Sequence, residues 1–345
     1  MSVQEAVVER DTRNRGRERR KRSGLRVHGI MTGLVLGLLG GHAHASPTYV
    51  ALGDSITFGE TDLLYRQSFG DRGYVSRYAD VLASRNGGTR PNVVNLAIDG
   101  ETASSFMTGS GRTPPVVGRT DVPLQLENLN YGASNLVPQG DLFASTVAAQ
   151  VALGNTINTV TITLGFNELA ALASLPTPVA LAQIASTLDA YQANYAAVLT
   201  EIRNQLPNAD LALLGYFNPF PADPASPAAP IFAAGGAPLN AIIQGLAARF
   251  DATYVDTFSP FVGNEARYTY QAVQPASSSV PDPFGGLLPI GNVHPNALGY
   301  DVIAGQLSSA TAIVVPEPSS LALLLVGAGG LVLAMRRRTA NPVSV

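Results

Sequence analysis

Apolar residues follow two different periods along the middle of the chain, and the two kinds of segment alternate. Short runs rich in Val, Ile and Leu predict strands, and longer stretches with apolar residues every three or four positions predict helices. The predicted strands are residues 48–52, 92–96, 159–164, 210–214 and 253–255, and the predicted helices are 74–84, 179–205, 239–250 and 295–308. This alternation is typical of an α/β protein, a three-layer α/β/α sandwich with helices on both faces of a parallel sheet.

Several of the predicted strands end in turns that contain glycine. Gly53 follows the first strand, Gly100 lies shortly after the second, and Gly165 follows the third. In open parallel sheets, ligands bind outside the carboxyl ends of the strands. We therefore expect these turns to border one site.

Two long segments do not fit the alternation of strands and helices. Residues 106–140 are polar and rich in Gly, Pro and Asn, and residues 217–238 are dense in Pro and Ala. Loops of this length are uncommon in a compact domain unless they cover a site or are disordered. Two interpretations are open, a rim or lid over the site and plain surface insertions.

The first 45 residues have the pattern of a signal peptide. Nine Lys or Arg lie between residues 10 and 26, an apolar run covers residues 30–41, and Ala43-His44-Ala45 supplies small residues around a cleavage point before Ser46. The alternative is a short membrane anchor, but twelve helical residues reach only about 18 Å.

The other end of the chain also has an apolar segment and a basic segment, in the opposite order. Pro316-Glu317-Pro318 precedes an apolar stretch at residues 321–335, and Arg336-Arg337-Arg338 follows it. Residues 314–345 resemble the PEP-CTERM sorting signal of Gram-negative bacteria. The resemblance implies export to the cell envelope or surface, or secretion. It also implies transient membrane anchoring through residues 321–335 and removal of the tail by an exosortase-type protease.

Between the two ends, the composition excludes several classes of function. Apart from the leader and the three terminal arginines, the chain has ten basic and 21 acidic residues, a formal net charge of −11. Such a surface repels phosphate backbones, so nucleic acid is not expected as a partner. The chain contains no Cys, which excludes disulfides and thiol catalysis.

His294 is the only histidine outside the leader, so it is the natural candidate for a general base. Ser55 lies in the turn Gly53-Asp54-Ser55, where its hydroxyl could act as a nucleophile or as a helix cap. The amide of Asn167 and the N–H of Gly100 could stabilise an oxyanion together with the N–H of Ser55. Each residue also has a plain structural interpretation, but their order along the chain favours a joint site.

These four blocks resemble the SGNH subgroup of GDSL esterases and lipases, which is named for its Ser, Gly, Asn and His. The resemblance covers most of residues 46–313. It implies a flavodoxin-like fold, ester hydrolysis through an acyl-enzyme on Ser55, and an oxyanion hole formed by Ser55, Gly100 and Asn167. No cofactor or metal is expected. The substrate could be a small ester, a lipid or an acetylated polysaccharide.

Two positions depart from the family pattern. Glu168 stands where the Asn block usually continues with Asp, and Gly291 stands three residues before His294, where the family has its triad Asp. His294 therefore needs another partner, either a main-chain carbonyl near residues 288–291 or the carboxylate of Asp282. The missing Asp also leaves open a catalytically weak or inactive SGNH-fold protein that binds at the surface or in the extracellular matrix.

Overall fold

A computed structural model describes residues 47–59, 61–62, 72–112, 137–270, 279–281, 287–289 and 293–311. The predicted signal peptide at residues 1–45 and the sorting segment at residues 314–345 lie outside the described residues. The same is true of Asp282 and Gly291.

The core of the domain is a parallel sheet of five strands in the order β2-β1-β3-β4-β5. This is the flavodoxin-like order, in which the direction of strand addition reverses between β1 and β3. The strands are β1 Pro47–Gly53, β2 Asn92–Asn95, β3 Thr156–Thr163, β4 Asp210–Leu214 and β5 Thr253–Val255. A separate antiparallel pair is formed by β6 Ser279–Pro281 and β7 Leu287–Pro289.

Helices lie on both faces of the sheet, which confirms the predicted α/β/α sandwich. Helices α2 and α9 pack together, and α6 packs against α4 and α7 in the other layer. The described helices are α1 Ser55–Phe58, α2 Gly73–Arg85, α3 Ala103–Thr108, α4 Gln139–Ala152, α5 Phe166–Ala171, α6 Thr177–Gln205, α7 Ala229–Arg249, α8 Glu265–Tyr268 and α9 Ala297–Ala310.

Helices cover both faces of the central strands, so the aliphatic and aromatic side chains of these strands are buried. Tyr49, Val50 and Leu52 of β1 are fully buried, and so are Val160 and Ile162 of β3. Full burial of each aliphatic side chain contributes about 1.5–3 kcal/mol relative to exposure. The sheet is therefore a rigid base for residues that follow its strands.

The prediction of a loop at residues 217–238 is wrong in its second half, because α7 begins at Ala229 and contains Pro238. Burial outweighs the unfavourable propensity of proline here, since Ile231 and Leu239 are fully buried. By length and composition, α7 could also cross a membrane, but it packs against α6, β4 and β5 as a core helix.

The other long segment, residues 106–140, is only partly described. Helix α3 occupies its first residues and α4 begins at Gln139, while residues 113–136 lie outside the described residues. The two interpretations of this segment, a rim or lid and a plain surface insertion, therefore both stay open.

Candidate active site

Three of the predicted site residues follow neighbouring strands at the carboxyl edge of the sheet. Ser55 is two residues after β1, Gly100 lies in the turn after β2, and Asn167 is the second residue of α5, after β3. The reversal of strand order between β1 and β3 opens a crevice at this edge, as in other doubly wound sheets.

Glycine is required where β1 and β3 end side by side. Gly53 has a φ of 123°, and a Cβ atom on it would lie 2.1 Å from the carbonyl oxygen of Thr163. The Asp54 N–H donates to that same carbonyl at 3.1 Å. Close approach of the two main chains thus fixes the start of the Ser55 turn.

The residue that caps the short helix α1 is Asp54, not Ser55. Oδ1 of Asp54 accepts from the Ile56 N–H at 3.0 Å and from the Thr163 hydroxyl at 2.9 Å, and Oδ2 accepts from the Tyr216 hydroxyl at 2.6 Å. Burial raises the pKa of Asp54 to about 6. The capping role considered for Ser55 is therefore filled by its neighbour.

A series of buried, hydrogen-bonded hydroxyl groups connects α1 to α2 and β3. The Thr57 hydroxyl lies 2.7 Å from the hydroxyls of both Tyr74 and Thr163, and Tyr74 continues the chain to Thr161 at 3.3 Å. Sequence reasoning missed this network. Its only signal was the alternation of Thr with aliphatic residues along β3.

Gln139 joins the end of β1 to the turn after β2. Its side chain accepts from the Gly53 N–H at 2.6 Å and donates to the Gly53 carbonyl at 2.9 Å. The same amide nitrogen lies 3.1 Å from Oε2 of Glu101, which also bonds Arg112 at 3.2 Å. Sequence reasoning missed Gln139, because it lies in the segment predicted as a loop.

Two of the predicted oxyanion donors, Gly100 and Asn167, lie close together at the turn of residues 100–102. Gly100 has a φ of 73°, in the left-handed region, and Nδ2 of Asn167 donates to the Glu101 carbonyl at 2.9 Å. This bond fixes the direction of the second N–H of the amide. Among the bonds of the described residues, the N–H groups of Ser55 and Gly100 have no acceptor.

Glu168 makes a second connection to the same turn. Its Oε1 accepts from the Ala103 N–H at 2.7 Å, and its Oε2 is buried and has no hydrogen-bond partner among the described residues. Burial raises the pKa of Glu168 to about 7, and it raises the pKa of Glu101 as well.

His294 lies just before α9, and main-chain bonds hold its segment in place. Its carbonyl accepts from the Tyr270 N–H at 3.1 Å, and the next carbonyl, that of Pro295, accepts from the Thr61 hydroxyl at 2.5 Å. Thr61 follows α1, so this bond connects the His294 segment to the segment that carries Ser55. Burial lowers the pKa of His294 to about 3.

Within the described ranges, no hydrogen bond joins the Ser55 hydroxyl to the His294 imidazole, whose Nε2 atom is buried. Catalytic hydrogen bonds are often long without substrate and tighten in the complex. Direct contact between the two side chains therefore stays a prediction. In the part of the chain that the structure describes, no three His, Cys, Asp or Glu side chains are grouped as metal ligands.

Comparison with solved structures finds neighbours of low sequence identity. A lipase from a goat rumen metagenome is 20% identical, with 77% of this chain and 98% of that chain covered and a TM-score of 0.49. Phospholipase A1 of Streptomyces albidoflavus is 18% identical, with 77% of this chain and 100% of that chain covered and a TM-score of 0.48. A catalytic mutant of an acetylxylan esterase from Geobacillus stearothermophilus is 17% identical, with 78% of this chain and 95% of that chain covered and a TM-score of 0.45.

Comparison with protein families gives two matches, and no curated protein matches the chain. Residues 314–338 match the PEP-CTERM protein-sorting motif, an export signal. Residues 51–302, which include Ser55, Gly100, Asn167 and His294, match the GDSL-like lipase/acylhydrolase family. Because that match covers most of the chain, the protein belongs to the GDSL-like lipase/acylhydrolase family of esterases and lipases.

Proposed function

We propose that the protein is an exported serine esterase that hydrolyses carboxylic esters through an acyl-enzyme on Ser55. The observation that supports this proposal is the placement of Ser55, Gly100 and Asn167 after the neighbouring strands β1, β2 and β3, at one edge of the sheet. Asp54 fills the capping role, and the N–H groups of Ser55 and Gly100 have no acceptor among the described residues. Such donors stabilise the charge that forms on the carbonyl oxygen during acyl transfer.

In the first half-reaction, the Ser55 oxygen bonds to the ester carbonyl carbon while His294 takes the hydroxyl proton. The carbonyl oxygen becomes an oxyanion held by Ser55 N–H, Gly100 N–H and Asn167 Nδ2. When the tetrahedral species collapses, the C–O bond to the alcohol breaks and His294 returns the proton to the departing oxygen. Water then attacks the acyl-enzyme by the same steps and releases the acid.

A third group must hold His294 in the correct tautomer. We propose two candidates, the Asp282 carboxylate and a main-chain carbonyl at residues 288–291. Gly291, which replaces the family's Asp, makes a carboxylate three residues before His294 impossible. The same residue favours a second function, that of a weak or inactive SGNH-fold binding protein at the cell surface.

The export signals complete the proposal. We propose that the leader is cut before Ser46, that residues 321–335 anchor the chain in the membrane for a time, and that an exosortase-type protease then removes the tail. Intact-mass measurement of surface material tests this processing, and we expect both ends to be absent. Retention of both ends would contradict it.

Activity is tested with a chain-length series of p-nitrophenyl esters on the purified mature domain. We expect hydrolysis by the unaltered protein and by Ser145→Ala, a matched control at an exposed serine of α4. Ser55→Ala should be inactive. The preferred chain length separates short esters and acetyl groups from lipids. Equal activity of Ser55→Ala and the unaltered protein would exclude the mechanism, and no activity in any variant would favour the binding protein.

A further inference from the structure

Asn167 and Glu168 hold the turn at residues 101–103 from two adjacent positions. Asn167 Nδ2 donates to the Glu101 carbonyl at 2.9 Å, and Glu168 Oε1 accepts from the Ala103 N–H at 2.7 Å. The turn begins with Gly100, one of the three oxyanion donors proposed above. A shift of the turn would therefore move the Gly100 N–H relative to Asn167.

We propose, on the basis of the esterase function proposed above, that Glu168 is a positioning residue of the oxyanion hole and that its neutral carboxylic acid form supports turnover. Both forms of the carboxyl group accept from Ala103 through Oε1, so the bond to the turn persists on ionisation. What changes is the charge on a side chain that contacts the same turn as Asn167.

The surroundings of Glu168 disfavour its ionised form. Burial is the largest cause, and the carboxylates of Asp54 and Glu101 act in the same direction. Hydrogen bonds from the main-chain N–H groups of Ala103 and of Glu168 itself favour the charged form, but burial outweighs them, and Oε2 is buried with no hydrogen-bond partner among the described residues. Among the described residues, the titratable and charged side chains that interact with Glu168 or with its acidic neighbours include Asp54, Tyr74, Glu101, Arg112, Tyr191, Tyr195 and Tyr216.

This arrangement predicts an alkaline limb in the pH profile that His294 cannot produce. His294 is neutral, and thus competent as a base, at every pH well above 3. Turnover should nevertheless fall as pH rises through 7, because a Glu168 carboxylate opposes the negative charge of the transition state. The loss should appear in kcat and leave KM nearly unchanged, since the oxyanion is absent from the ground state.

The experiment measures kcat and KM between pH 5 and 9 for the unaltered protein and for Glu168→Gln. The matched control is Glu201→Gln, the same chemical change on α6, where the Glu201 side chain accepts from its helix neighbour Gln205 and has no other bond among the described residues. The Ser55→Ala rate is subtracted for spontaneous ester hydrolysis. We expect kcat of the unaltered protein and of the control to fall about tenfold between pH 6 and 8, as for a single ionisation near 7. Glu168→Gln should stay flat.

Glu168→Asp retains the charge but is one methylene too short to reach Ala103, so its kcat should fall at every pH. A flat profile for the unaltered protein, or the same alkaline limb in Glu168→Gln, would overturn the proposal.

A second measurement does not depend on activity. The NMR shift of the Ala103 amide should titrate near pH 7 in Ser55→Ala, and the titration should vanish when Glu168→Gln is added. Persistence of the titration would also refute the role of Glu168. If no ester is hydrolysed but the Ala103 titration follows Glu168, the esterase function fails while the contact with the turn stands.

Discussion

The two halves of the candidate active site are held in different ways. The nucleophile half, with Ser55, Gly100 and Asn167, follows three adjacent strands, and buried side chains such as Asp54 and Gln139 lock it from several directions. The base half, at residues 293–296, is held through its main-chain carbonyls, such as that of Pro295, which accepts from the Thr61 hydroxyl. Strand ends thus fix the donors, whereas loop contacts place the base.

The donors of the nucleophile half are therefore preformed, and preformed donors cost no reorganisation at the moment of reaction. Substitutions in the two halves test whether they act as one site.

The largest effect is expected when the nucleophile or the base is removed. Ser55→Ala and His294→Ala should each lower kcat by about four to six orders of magnitude, as for residues that act as one unit. The double variant should be no worse than either single variant. If the losses multiplied instead, the two residues would not act in one step. The measurement is ester hydrolysis at saturating substrate, with Ser145→Ala as control.

Within the nucleophile half, Asn167→Ala should lower kcat by about two to three orders of magnitude, the usual cost of one oxyanion donor. KM should change little. Asn167→Asp keeps the size of the side chain but replaces the donor by an acceptor, so its loss should be at least as large. A loss confined to KM would assign Asn167 to substrate binding.

The base half is tested by returning the carboxylate that the family has at the position of Gly291. Burial makes an imidazolium on His294 unfavourable, and a carboxylate beside it would stabilise that cation. If a carbonyl is the native partner, we expect Gly291→Asp to raise kcat about tenfold, for roughly one pKa unit of stabilisation, and Asp282→Ala to change it little. The reverse pattern would identify Asp282 as the native partner.

The smallest change is expected at acidic pH, where kcat/KM should show no inhibition. With a pKa of about 3, His294 remains neutral at pH 5, so protonation of the base should not lower kcat/KM as pH falls from 6.5 to 5. Between pH 6.5 and pH 5, a base with the ordinary pKa of 6.5 would lose about sixteenfold of its neutral form. Hydrolysis is measured in quenched samples read at alkaline pH. A fall of that size would show that His294 is solvated or paired with a carboxylate.

The alternation of strands and helices could be predicted from the sequence because burial on both faces of a sheet leaves a strong local pattern. The strand at residues 210–214 was predicted with the bounds that the structure has. Ser55 and Asn167 could be proposed because a residue that follows a strand in a doubly wound sheet lies at the ligand-binding edge.

Residues that act through distant contacts could not be predicted in this way. Gln139 reaches Gly53 across 86 positions, and Tyr216 reaches Asp54 across 162. Neither has a local pattern that separates it from an ordinary buried polar residue. The start of α7 was missed for a related reason, since the tertiary packing of Ile231 outweighs the helix-breaking tendency of Pro and Gly.

The central claim is that Ser55 is the nucleophile, and covalent labelling tests it most directly. The mature domain is treated with a p-nitrophenyl alkylphosphonate, which phosphonylates an activated serine and leaves a stable tetrahedral adduct, and the digested protein is mapped by mass spectrometry. We predict a single phosphonyl group on the peptide that contains Ser55, and no adduct in Ser55→Ala. An adduct on another residue, or none with folded protein, would contradict the account.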